Sequence, residues 1–185
     1  LSLGKKRVGL VALDWIGFYM RDTESLRSAS GFNSEDRYLM VAATHQHSGP
    51  DSLGLWGAWP GVSGLNRGYH ERSKAKIVSA LRRLEGELKP VRLAAASGLL
   101  DPSGLCRDLR DPKIIDPHFV ALELRGLKNS IATIVNWSCH PEVLGSENRL
   151  ISADFPGALC DRVEKSVGGV CLYLSGAIGG LLSPD

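Results

Sequence analysis

The sequence predicts an α/β fold in one domain, residues 1–185, built as a mixed sheet with flanking helices. Three observations carry that expectation. Short β-rich runs at 7–13, from 37 onward, at 118–125 and at 131–137 are interleaved with segments of helical period. A hydrophobic content of 43% over 185 residues supplies material for one sizeable core. Three of the five histidines fall where a β-rich run gives way to a loop, the position at which α/β proteins usually place their chemistry.

Taken in order, the run at 7–13 is followed by a predicted helix over 18–29, closed by Gly31 as a left-handed cap. A strand and a histidine-bearing loop occupy 37–50. The stretch SLGLWGAWPGVSGLN, 52–66, shows neither helical nor strand period and reads as a long loop. In it, Trp56 and Trp59 are expected to bury useful area. Residues 69–89 place Ile77, Leu81, Leu84 and Leu88 at helical spacing, and Pro90 prevents continuation. VRLAAASGLL then reads as a strand. Three Asp-Pro pairs make 101–117 an irregular excursion. HFVALELR and IATIVNW form a hairpin around 126–130. In 151–167, Asp154 is a candidate N-cap, with a carboxylate that holds one of the histidines as the alternative reading, Pro156 sits near the first helical position, and Leu159, Val163 and Val167 share a stripe. A final strand, VCLYL, runs into the glycine-rich SGAIGGLLSPD.

Composition narrows the function. Lys and Arg total 22 against 20 Asp and Glu, a net charge of +2, so no nucleic-acid or polyanion partner is expected and a neutral or amphiphilic substrate is. The apolar stretch VGLVALDWIGFYM is broken by Asp14 and is too short to span a bilayer, which leaves membrane-surface contact open. The cysteines at 106, 139, 160 and 171 lack any CxxC spacing and read as ordinary buried thiols. Cys139 adjoins His140, but neighbours on a strand face opposite ways.

The chemistry concentrates in two segments. In YLMVAATHQHSGP, His45 and His47 stand two apart. On extended backbone their side chains share one face, roughly 7 Å apart. In IATIVNWSCHPEVLG, His140 follows a β-rich run that Pro141 terminates. Two or three imidazoles aimed at one spot suit zinc, whose catalytic sites commonly keep three protein ligands and an exchangeable water. An ion held by His45 and His140 lowers the pKa of its water to about 7 and polarises a carbonyl, leaving His47 for proton transfer; alternatively His47 is itself a ligand. His70 and His118 lack such a context and read as structural or surface residues.

THQHSGP at 44–50, NWSCH at 136–140, ISAD at 151–154 and LSPD at 182–185 together resemble, in order, the motifs of the neutral/alkaline ceramidases. In that family's amino-terminal catalytic domain they are THTHSGP, NW...H, IS-x-D and a Ser-Pro loop. The resemblance implies a zinc-dependent amidase that cleaves the N-acyl bond of ceramide, giving a fatty acid and a sphingoid base; the compartment stays undetermined, and a secreted or membrane-associated setting is compatible with the resemblance. It further implies zinc ligation by His45 and His140 and a proton-transfer and substrate-binding role for His47. Arg107 would polarise the amide oxygen, with Arg110 close by, and Ser183 matches the serine implicated as nucleophile. Whether that serine attacks or only donates a hydrogen bond stays open.

The sequence also departs from the pattern. Pro141, Glu142 and Val143 replace a Gly-Thr-Ser that follows the second histidine, which predicts a reshaped substrate mouth. GLLSPD replaces GDVSPN and lacks the acidic residue two before the serine, and CRDL replaces NRSP. These differences keep a second expectation alive: a zinc amidase or esterase of the same fold with a smaller substrate. The family's remaining ligands, a glutamate and a tyrosine, lie farther along than Asp185, so residues 1–185 alone are expected to bind zinc weakly and turn over little, or to act as a catalytically incomplete module.

Overall fold

A computed structural model of the chain describes residues 1–179 and 182–184. The fold is mixed α/β, as the alternation of periods predicts. Its described residues form three helices and three sheets, two of them four-stranded and mixed. Contacts cluster the chain into two units. The first is Leu1–Ala43 with Pro50–Lys89, and the second is Thr44–Gly49 with Pro90–Asp185.

In the first unit, β1 (Ser2–Leu3), β2 (Lys6–Leu13), β3 (Asn33–Ser34) and β4 (Arg37–Ala43) form a sheet of order β1-β2-β4-β3. β2 and β4 run parallel with Gly9 opposite Leu39. α1 (Met20–Ser30) makes the crossover between them, as a parallel pair requires. Gly31 ends α1 at φ 77°, and its N–H turns back onto the Arg27 and Ser28 carbonyls, so the predicted left-handed cap is present. α2 (Arg67–Gly86) starts at Asn66, whose side chain accepts the Tyr69 N–H at 2.9 Å. Leu26, Phe32, Leu39 and Leu81 make the core, with Ile77 and Val78 packed against it. The predicted stripe on α2 is only half used: Leu84 and Leu88 are 52% and 47% exposed, and Leu88 lies beyond the last helical turn.

The long loop after residue 50 is compact for a local reason. The Asp51 carboxylate accepts the N–H groups of Leu53, Gly54, Leu55 and Trp56. Desolvation opposes its charge, but these four donors outweigh it and hold the carboxyl below the usual aspartate value. Gly57 and Gly64 pass so close to the Val62 and Trp56 carbonyls that no Cβ fits. Trp56 and Trp59 nevertheless stay 61% and 75% exposed, contrary to the expectation that they bury area.

In the second unit, β5 (Arg92–Leu99), β7 (His118–Arg125), β8 (Ser130–Trp137) and β9 (Val170–Ser175) lie in that order. β7 and β8 form the predicted antiparallel hairpin, and β8 and β9 are parallel, joined through α3 (Asp154–Val167). Val135, Trp137, Cys139, Cys171 and Tyr173 fill the core, capped by Phe155, Leu159 and Val163 from α3. The stripe ends early here too, with Val167 46% exposed. The run read as irregular contains β6 (Cys106–Asp108), paired antiparallel with β10 (Leu182–Pro184) in the glycine-rich tail. Leu181, where the family's acidic residue is missing, and Asp185 of the LSPD motif lie outside the described residues. No helix among the described residues is long and apolar enough to cross a membrane.

Candidate active site

The segment 44–49 belongs to the second unit because hydrogen bonds fasten it there. Ser175 at the end of β9 donates to the Thr44 carbonyl at 2.5 Å, His47 N–H donates to the Pro141 carbonyl at 3.2 Å, and Ser152 N–H donates to the Ser48 carbonyl at 2.9 Å. Asn148 adds a donor to the Ser48 hydroxyl at 2.9 Å. Within the segment, Gln46 is 1% exposed and its Oε1 accepts the Ser48 N–H at 2.6 Å. The bond from His47 N–H to the Pro141 carbonyl ties the two histidine-bearing segments directly, and the others fasten the first of them to β9 and to residues 148–152.

His45, His47 and His140 converge. One ring nitrogen from each lies within 4.8 Å of those of the other two, and ring centroids are 5.0 Å apart for His45 and His140, 5.3 Å for His45 and His47, and 5.7 Å for His47 and His140. The route differs from strand alternation. β4 ends at Ala43, and His45 has φ 66°, so a left-handed turn and not an extended face brings its ring to the cluster. Such a conformation costs on the order of 1–3 kcal/mol for a non-glycine residue and persists where surrounding structure enforces it. Burial and the neighbouring His140 hold His47 below its usual pKa, against the opposing pull of Glu142 and Asp154. A neutral imidazole is the form that can bind a metal.

Ser183 is 8% exposed on β10, and its hydroxyl donates to Glu142 Oε1 at 2.5 Å. The other carboxylate oxygen of Glu142 stands 3.4 Å from His47 Nδ1. Arg107, on β6, is the register partner of Ser183, and directly opposed residues of an antiparallel pair project to the same face. Arg110 lies past the end of β6, in the turn where its N–H donates to Asp108. Glu142 was visible in the sequence as a departure at the second histidine; that it would meet Ser183, 41 residues on, was not.

Asp154 does more than begin a helix. The residue at the N-cap position is Ala153, and Asp154 itself has φ 53°. Its buried carboxylate accepts N–H groups from Phe155 at 2.7 Å, Val143 at 3.3 Å and Leu144 at 3.2 Å, fixing the turn that carries His140 and Glu142. Cys139 faces the core, 1% exposed, and burial pushes its thiol up to about 12, so it stays protonated and outside the histidine cluster. His70 is stacked on Trp15 and Phe18 in the first unit, and His118 is an exposed partner of Asp116.

No protein-family model matches the chain. It is 28% identical over 166 residues to a neutral ceramidase of Pseudomonas aeruginosa, a match that takes in 82% of this chain and 25% of that protein. The chain thus spans about a quarter of the length of this curated relative. Among solved structures, its fold is similar to the neutral ceramidase from Pseudomonas aeruginosa, with a TM-score of 0.73 and 23% identity over 95% of this chain and 31% of the other. A ceramidase complexed with C2 gives a TM-score of 0.72 at 22% identity over 95% and 30%. Sequence and fold together bear out the resemblance to the neutral ceramidase family that the four motifs carry.

Proposed function

We propose that the protein carrying this chain is a zinc-dependent amidohydrolase that cleaves the N-acyl bond of ceramide or a ceramide-like lipid, yielding a fatty acid and a sphingoid base. The observation that supports this reading best is the convergence of His45, His47 and His140 beside the buried Ser183 hydroxyl. The donor set fits the ion. Three imidazoles suit zinc, and tetrahedral ligation at about 2.0–2.1 Å needs donor nitrogens about 3.4 Å apart, a separation that lies within the 4.8 Å limit on this cluster. His45 and His140 would hold it, with His47 placed to move a proton or to join as a third ligand. When bound, zinc supplies Lewis acidity toward a carbonyl and lowers the pKa of its water. Arg107 would orient and polarise the amide oxygen. Ser183 would either attack the acyl carbon, displacing the amine, or donate a hydrogen bond to the acyl oxygen while a water attacks.

A second reading keeps the fold and the metal and changes the substrate. Glu142 sets a carboxylate against Ser183 where the resemblance implies an uncharged Gly-Thr-Ser, which favours an amide or ester smaller and more polar than ceramide. The full-length protein assayed on ceramide and on short N-acyl amides separates the two; cleavage of the short amides alone selects the second. Zinc content is measured in parallel for His45→Ala and His140→Ala. Loss of both metal and rate is expected, and a protein that keeps both after either substitution would show the metal assignment to be wrong.

A further inference from the structure

We infer that Glu142 is a positioning residue that joins His47 and Ser183 into one unit beside the histidine cluster, an inference that rests on the metal reading above. One carboxylate carries both contacts, with Oε1 accepting the Ser183 hydroxyl at 2.5 Å and Oε2 facing His47 Nδ1 at 3.4 Å. The second contact is an ion-pair approach just beyond the usual range of about 2.7–3.2 Å for an N–H···O bond. An imidazole whose Nδ1–H faces a carboxylate keeps its proton there, which leaves the lone pair on Nε2. Glu142 thereby selects the tautomer in which His47 can serve as a ligand.

The glutamate is itself held firmly. Its N–H donates to the His140 carbonyl at 3.0 Å and its carbonyl accepts the Gly145 N–H at 3.1 Å, while Asp154 fastens the next two backbone N–H groups. A carboxylate fixed within the turn that follows one candidate ligand is thus aimed at a second histidine and at the serine. None of the Gly-Thr-Ser residues that the resemblance implies here could supply that carboxylate, so the arrangement departs from the pattern that the resemblance implies.

The test uses the full-length protein labelled with 15N at histidine, stripped of metal, and observed by long-range proton–nitrogen spectra, with His47 assigned by His47→Asn. The parent is expected to show His47 protonated at Nδ1, and Glu142→Ala to shift it toward the Nε2-protonated form. Zinc affinity should fall by about 10–100-fold, the usual effect of losing a group that orients a ligand. Glu142→Gln keeps the side-chain shape and guards against a folding defect; it is expected to weaken zinc binding with an unchanged circular dichroism spectrum. Ser183→Ala, which removes only the contact to the other oxygen, is expected to leave the tautomer as it is. An unaltered tautomer with zinc affinity within twofold of the parent in both Glu142 variants overturns the inference, as does an equal tautomer change in Ser183→Ala. A parent that binds no zinc while its tautomer still follows Glu142 rejects the metal reading and leaves the positioning role standing.

Discussion

At the scale of single residues, His45 is where sequence reasoning and structure part most instructively. That it stands near His47 and His140 was legible from the HxH spacing and from the second histidine at a strand exit. The conformation was not: extended backbone was expected, and the residue sits at φ 66°. His, Asn and Asp tolerate this region better than other side chains, whereas a β-branched residue is strongly disfavoured there. His45→Asn is therefore expected to change the stability of the metal-free protein by less than about 0.5 kcal/mol while lowering zinc affinity by more than about 100-fold, beyond the loss of an orienting group. His45→Val should cost about 1–3 kcal/mol of stability besides. Urea unfolding and metal titration of the two variants check both statements. Equal stability of Asn and Val at this position would remove the strain argument.

At the scale of elements, the long periodic segments were readable and the short ones were not. α1, α2, the β7–β8 hairpin and α3 each carry enough residues for a period or a cap to show. β6 and β10 have three residues apiece, too few for any alternation to register, and their pairing joins Cys106 to Pro184 across the chain. The start of α3 illustrates a second limit. An aspartate before an apolar stripe reads as a cap, but the Asp154 carboxylate also takes the Val143 and Leu144 N–H groups from a different turn. Asp154→Ala removes the acceptor for those donors and is expected to cost about 2 kcal/mol, on the scale of hydrogen bonds to a charged group. It should also loosen the turn that bears His140 and weaken zinc binding roughly tenfold, as loss of an orienting partner does. Asp154→Asn, which keeps an acceptor and tolerates positive φ, should recover most of both. Denaturant midpoints and zinc titrations measured side by side test this, and an alanine variant as stable as the parent would sink it.

At the scale of the whole molecule, each unit carries its own core, and the candidate site residues all belong to the second unit. Leu39, fully buried in the first, is expected to cost about 2–5 kcal/mol on truncation to alanine, the transfer and cavity terms together. Because the core that Leu39 packs into, with Leu26, Phe32 and Leu81, is made of residues outside the candidate site, zinc affinity of the folded protein should stay within twofold, and a larger change would count against that expectation. By itself the sequence determined the α/β class, the principal helices and strands, and the histidines and serine that resemble a ceramidase site. Those features are written locally, in apolar period, in caps and in short motifs. Only the tertiary structure decided that His45 reaches the cluster through a left-handed turn, that Asp154 fastens a turn ten residues away, and that Glu142 bridges His47 and Ser183. Each of these depends on contacts between segments far apart in the chain, and no local periodicity encodes a distance of that kind.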